Sequence, residues 1–232
     1  MGSRDRLLRR TFIAVAVVAC AVMVIAVALD RSRESEPLPP AEDFARHVKG
    51  PENAPVALIV YNDFECSYCK VFHLRLLPVI ERAYGDRISI EYRHFPLPRH
   101  PKALVEAEAS ECVARQLGEA GFWKFVDAMF VATPSDNGFE LSRLPGVAVS
   151  VGADHDAYMQ CMADEGGRET VLSHINAGVA DDIDVTPTIV IRGAGEEVRI
   201  ERAYPGLVTN GIEYVFARVA AQGSVEEAKG GL

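Results

Sequence analysis

Asp63-Phe64-Glu65-Cys66-Ser67-Tyr68-Cys69-Lys70 stands between two stretches of opposite periodicity, and its reading decides the fold. Val56 to Tyr61 is almost purely apolar and rich in β-branched residues, the pattern of a strand buried on both faces. From Val71 onward the apolar residues Phe72, Leu76, Val79, Ile80 and Ala83 fall at helical spacing, so Cys66 and Cys69 lie where a strand turns into a helix. Unpaired N–H groups and the positive end of the dipole at a helix start favour a thiolate over a thiol, and the thiolate is the form that attacks a disulfide. The spacing predicts Cys66 exposed at the turn and Cys69 covered one turn on. Cys66 would then attack a partner, a mixed disulfide would form, and Cys69 would resolve it. Other uses of the pair fit less well. A purely structural disulfide at this spacing closes too small a loop to stabilise much. Zinc finds only His73 as a further local ligand, and c-type haem would need His where Lys70 stands. The reading implies no metal and no other cofactor.

Working outward, Pro78 falls inside the helix and should kink it near Leu74, with Gly85 closing it. Ile88, Ile90 and Tyr92 alternate with polar residues and form a second strand, ended by Pro96 and Pro98, so residues 56–100 read as a parallel β-α-β unit. Residues 101–182 show no strand pattern. Four helical faces follow instead: Val105, Ala109 and Cys112; Phe122, Val126, Met129 and Phe130; Tyr158, Cys161 and Met162; Val171, Ile175 and Val179. Strand character returns at Thr188 to Arg192 and Val198 to Ala203, and a last helix is predicted with its cap near Asn210 and Ile212, Val215, Phe216 and Val219 inward, so residues 183–222 form a β-β-α half. The tail 223–232 is polar. Phe44 and Val48 supply candidates for a short first element within 31–55.

Residues 1–30 are of a different kind. Thr11 to Leu29 is an uncharged run preceded by Arg4, Arg6, Arg9 and Arg10 against the single acid Asp5. That length approaches the roughly 20 residues a bilayer-spanning helix needs, and the flanking charge keeps the N-terminus inside while the rest is exported. An anchor in the cell membrane with a periplasmic or extracytoplasmic domain is the reading, with cleavage at Ala26-Val27-Ala28 and a soluble periplasmic product as the alternative. Cys20 reads as a small apolar residue of that segment. Four cysteines remain on the exported side, where disulfides are the common use. A formal charge of -9 with no long basic run in the body argues against nucleic acid as a partner.

FECSYCK after an apolar strand, then RHFPLPRHPKA, FWKFVDAMF and VTPTIVI, together resemble the DsbA-like branch of the thioredoxin superfamily, exported thiol-disulfide oxidoreductases. The resemblance implies an α/β thioredoxin fold with a helical domain inserted between the β-α-β half and the β-β-α half. It implies Pro187 in cis, packed with Thr186 against the Cys66–Cys69 pair and presenting backbone to an extended, thiol-bearing substrate. A second disulfide, Cys112–Cys161, occurs in some relatives, while two buried free thiols remain the alternative from the residues alone. Partners would be unfolded thiol-bearing proteins and a membrane redox protein, a DsbB-like oxidase or a DsbD-like reductant. Glu65, Ser67 and Tyr68 would tune the pair, Glu65 by like charge and Lys70 by opposing Glu65. Departures bear on direction. Val60 stands where oxidases commonly carry a buried acid, and Val60, Tyr68 and Thr186 look more like isomerase relatives, yet 31–55 is too short for the dimerisation domain those relatives have. The different class is a tethered peptide-binding or chaperone domain whose cysteine pair is only structural. His73 reads as a solvated helix residue, His94 and His100 as loop-ordering residues without metal-binding partners, and Trp123 as core.

Overall fold

A computed structural model describes residues 46–230. The predicted anchor, the linker, Cys20 and Phe44 lie outside these residues. Five strands form one mixed sheet in the order β1-β3-β2-β4-β5: β1 (His47–Lys49), β2 (Val56–Asn62), β3 (Ile88–His94), β4 (Thr188–Gly193) and β5 (Glu196–Glu201). β2 runs parallel to β3 in the register Leu58↔Ile90, and antiparallel to β4 in the register Leu58↔Ile191. The chain between β2 and β3 is helical: α1 (Ser67–Val71), a π-helical turn (Phe72–Leu76) and α2 (Leu77–Tyr84). β3 is followed by α3 (Ala103–Ala132), α4 (Leu144–Ser150), α5 (His155–Ala163) and α6 (Arg168–Ala180), and β5 by α7 (Pro205–Gly230). This is the thioredoxin-type α/β arrangement with helices inserted between its halves.

Strand pleating assigns the two faces of the sheet. Val56, Leu58 and Val60, with Ile90, Tyr92, Ile189 and Ile191, pack under Phe72, Leu77 and Ile80 and under Val208, Ile212 and Val215 of α7. Ile59, Tyr61 and Val190 face the other way, onto Phe95, Leu97, Ile183 and Ile175 of α6. There α6 approaches so closely that a Cβ on Gly178 would lie 2.6 Å from the Phe95 ring. The core of the inserted helices, with Phe122, Phe125, Met129, Phe130, Phe139 and Tyr158, is continuous with the first face.

Several local expectations are corrected. Pro78 lacks the N–H that an unbroken helix would donate to Leu74, and the chain meets this with the π-helical turn, where Leu77 N–H bonds to the Phe72 carbonyl. One extra residue in that turn keeps Phe72 and Ile80 of the expected stripe buried and adds Leu77 and Tyr84, while Leu76 is only partly buried and Val79 and Ala83 are exposed. The first two insert faces belong to one helix broken by Gly118, whose φ of 65° turns the chain out of helical geometry. Val179 is exposed, because it is the neighbouring Gly178 that turns to the sheet face. α7 begins at Pro205, five residues before the predicted cap at Asn210, because the fixed proline φ suits the first helical turn. Among the described residues no helix is long and apolar enough to cross a membrane.

Candidate active site

Cys66 occupies the N-cap of α1, with φ -80° and ψ 116°, the position where a side-chain acceptor can meet the first free N–H groups of a helix. Its own N–H bonds to the Asp63 carbonyl at 3.1 Å, which fixes the turn out of β2. The sulfur is buried at 3 % exposure, against the expectation of an open thiol, because Thr186 and the Thr186–Pro187 cis peptide lie over it. As a thiol, Cys66 Sγ donates to the Thr186 carbonyl oxygen at 3.3 Å. The Thr186 hydroxyl is buried and makes no other hydrogen bond, so it is free to donate to the thiolate instead.

The two thiols are strongly inequivalent. Donation from the Cys69 thiol is the largest influence on Cys66 and outweighs burial; with the Thr186 hydroxyl and the N–H groups of Cys69 and Tyr68 it brings Cys66 down to about 6. Burial, then the adjacent Cys66, pushes Cys69 well above the ordinary thiol range. A thiol that ionises near neutral pH therefore stands beside a covered thiol that stays protonated.

The other predicted residues divide. Ser67 and Tyr68 are exposed at the start of α1, and Tyr68 and Val71, each 60 % exposed, form an open apolar rim beside Cys66. Glu65 is fully buried and faces away from the thiol: its carboxylate accepts from the N–H groups of Gly138 and Phe139, each at 3.2 Å, and braces the loop after α3. Lys70 does not oppose it, because its ammonium donates to the Thr133 carbonyl. Cys112 of α3 and Cys161 of α5 are joined by a disulfide. His73 is buried rather than solvated, donating to Asp127 at 2.7 Å and packed on Phe130. His94 Nε2 meets Glu111 Oε1 at 2.7 Å, the same oxygen that His47 reaches, a juxtaposition that sequence spacing did not show.

Three acidic or basic groups near the pair were missed. Asp63, at 1 % exposure, accepts from Glu65 N at 2.8 Å, Leu97 N at 2.8 Å and His100 Nδ1 at 2.7 Å. Burial raises its carboxyl above the ordinary range while these donors hold it down. Glu106 is pushed up to about 9 by burial and then by the neighbouring Glu65 carboxylate, so it carries a proton at neutral pH. Lys102 spans the same loop, donating to the carbonyls of Asn137 and Phe139. A signal for Asp63 was present, since an Asp ahead of a tight turn commonly accepts from the backbone two residues on. No local signal pointed to Glu106, whose partner is 41 positions away in sequence.

The sequence profile of the family described as Thioredoxin matches residues 43–202. The chain belongs to the thioredoxin family. Solved structures with this fold include DsbA2 of Pseudomonas aeruginosa, at 24 % identity and TM-score 0.61 over 77 % of this chain and 96 % of that one. BdbD of Bacillus subtilis follows at 22 % identity and TM-score 0.65, over 73 % and 91 %, and alpha-DsbA1 of Wolbachia pipientis at 22 % and 0.62, over 82 % and 98 %. The thioredoxin fold here is thus the DsbA-like form with inserted helices. Curated relatives in sequence include Na(+)/H(+) antiporters NhaA of Mycolicibacterium gilvum, 33 % identical over 165 residues, and of Herminiimonas arsenicoxydans, 30 % identical over 155. The chain spans about a quarter of the length of those relatives, 24 % of each, while 68 % and 67 % of this chain is matched.

Proposed function

We propose that this protein is an exported thiol-disulfide oxidoreductase that forms disulfides in secreted proteins, with Cys66 as nucleophile, Cys69 as resolving thiol, and Thr186 and Pro187 positioning substrate. The observation that carries this reading is the asymmetry of the pair: Cys66 lowered to about 6 under Thr186, and Cys69 raised and covered. In the forward cycle a substrate thiolate attacks Cys66 of the Cys66–Cys69 disulfide, and Cys69 leaves as a thiolate that takes up a proton. The substrate's second thiolate then attacks the substrate sulfur of the mixed disulfide, forming the substrate disulfide and expelling Cys66 as a thiolate. The substrate is oxidised by two electrons, which a membrane redox partner removes from the dithiol. A well-stabilised Cys66 thiolate favours the reduced protein and so makes its disulfide oxidising, which supports the oxidase direction.

The exposed Tyr68 and Val71 beside Cys66 supply apolar contact that suits an unfolded chain of varied sequence. Export is supported by the basic and apolar N-terminus and by the Cys112–Cys161 disulfide, which belongs in an oxidising compartment. Isomerase or reductase action is the second reading, favoured by Val60, Tyr68 and Thr186 and served by a reducing membrane donor. Ion transport is not carried over from the antiporters, since this chain spans only about a quarter of their length. Refolding a reduced and a scrambled-disulfide substrate side by side tests the reading. Activity on the first that is lost in Cys66→Ser is the expected result; activity confined to the second makes the protein an isomerase. Unchanged behaviour of Cys66→Ser in both assays would leave only a binding domain.

A further inference from the structure

Away from the thiols, three buried side chains from three separate elements meet at one point: His47 of β1, His94 at the end of β3, and Glu111 of α3. We propose that His47 Nε2, His94 Nε2 and Glu111 Oε1 form a binding site for a divalent transition-metal ion of the zinc class. This inference does not depend on the redox reading.

The geometry is convergent rather than merely crowded. Glu111 Oε1 lies 2.9 Å from His47 Nε2 and 2.7 Å from His94 Nε2, so both imidazoles aim at one carboxylate oxygen instead of sharing the two. All three donor atoms lie within 4.8 Å of one another. Zinc bonds of about 2.0–2.1 Å in a tetrahedral set would separate neighbouring ligand atoms by roughly 3.3 Å, so accepting the ion asks the two His–Glu111 separations to open by about half an ångström, with the imidazole nitrogens, within 4.8 Å of each other, set to the same spacing. On binding, the ion takes the place of the protons that now bridge the imidazoles to Glu111.

The surroundings add a second, independent feature. His47 Nδ1 meets Glu119 Oε1 at 2.8 Å, and a carboxylate behind an imidazole is the arrangement that fixes the tautomer and turns the other nitrogen toward a metal. The His47 ring is seated flat on Phe122, with centroids 3.4 Å apart and planes 6° from parallel, so Nε2 points in one direction only. The Glu119 side chain is 50 % exposed and marks the side from which an ion would enter. Two imidazoles with one carboxylate suit zinc and its neighbours; calcium and magnesium favour all-oxygen sets. Three protein ligands leave a fourth position for water. The site would clamp β1, a three-residue edge strand, to the inserted helix α3.

The test uses the full chain carrying Cys20→Ser, Cys66→Ser and Cys69→Ser, so that thiolates do not compete for metal. Equilibrium dialysis against buffered zinc is expected to give one ion per chain and a zinc-dependent rise in melting temperature. Cobalt substitution should give visible bands of a nitrogen- and oxygen-ligated site without thiolate charge transfer. Glu111→Gln should remove the stoichiometric zinc. Glu119→Gln, at a half-exposed position that leaves the core untouched, should weaken binding 10- to 100-fold. Folded protein that holds no stoichiometric zinc, or zinc bound equally well by Glu111→Gln and Glu119→Gln, would overturn the proposal and leave a hydrogen-bonded His–Glu network.

Discussion

Cys66 and Thr186 are 120 positions apart, yet each sets the other's chemistry. In Thr186→Val the carbonyl contact stays and the hydroxyl goes, so the thiolate loses one donor. A hydrogen bond to a charged group contributes about 1.5–3 kcal/mol, and the Cys66 titration should therefore move upward from about 6 by about one pH unit or more, read by thiolate absorbance. The same shift has a stability consequence. Its folded-state value near 6 lies below the ordinary thiol value of 9.0, so the unfolded chain holds more protons between the two. The Cys66 contribution to the stability of the reduced protein should then grow with pH from about 6 to about 9, by at most about 1.4 kcal/mol per pH unit, and be absent below 6, while Glu106 and His47, each raised to about 9, contribute the opposite slope. Urea melts of the reduced protein and of Cys66→Ser at pH 6 and pH 8 check this: the stability difference between the two should widen in favour of Cys66 at pH 8. Sequence spacing was enough to find Cys66 and Cys69, because the strand-to-helix junction is a local pattern. Burial of Cys66, the inward turn of Glu65 and the roles of Asp63 and Glu106 depend on a loop and a helix far along the chain.

At the scale of elements, periodicity located β2, β3 and the β4–β5 hairpin because a buried strand writes its environment directly into alternating or continuous apolar residues. It found Phe72 and Ile80 of the helix after Cys69 but took Leu76, Val79 and Ala83 where Leu77 and Tyr84 are buried, since a π-helical turn at Pro78 adds a residue that a 3.6 period does not count. It also missed α4, where Pro145 lies in the first helical turn and reads as punctuation when taken alone. The packing of α6 on the sheet gives a test. Gly178→Ala brings a methyl group to 2.6 Å from Phe95 and 3.1 Å from the Tyr61 ring, which overpacks this face. A loss of about 1–3 kcal/mol by urea denaturation is expected, with Cys66 reactivity unchanged because the opposite face of the sheet is involved.

Across the whole molecule, the order of elements was legible: a β-α-β half, helices, then a β-β-α half around one sheet. What joins the inserted helices to each other was not, since spacing does not choose between two buried thiols and a bond. The Cys112–Cys161 disulfide closes a 49-residue separation and on the chain-entropy view contributes about 4 kcal/mol. Replacing both with Ala should lower the denaturation midpoint accordingly, while the exchange reaction at Cys66 persists in the protein that remains folded. The central claim is that the fold builds one activated and one protected thiol, and the rate of Cys66 alkylation by iodoacetamide as a function of pH tests it most directly. With Cys20 replaced by Ser and the Cys66–Cys69 pair reduced, Cys66 should react with a midpoint near pH 6 and Cys69 stay unmodified; both members of the pair reacting alike with a midpoint near pH 9 would contradict it.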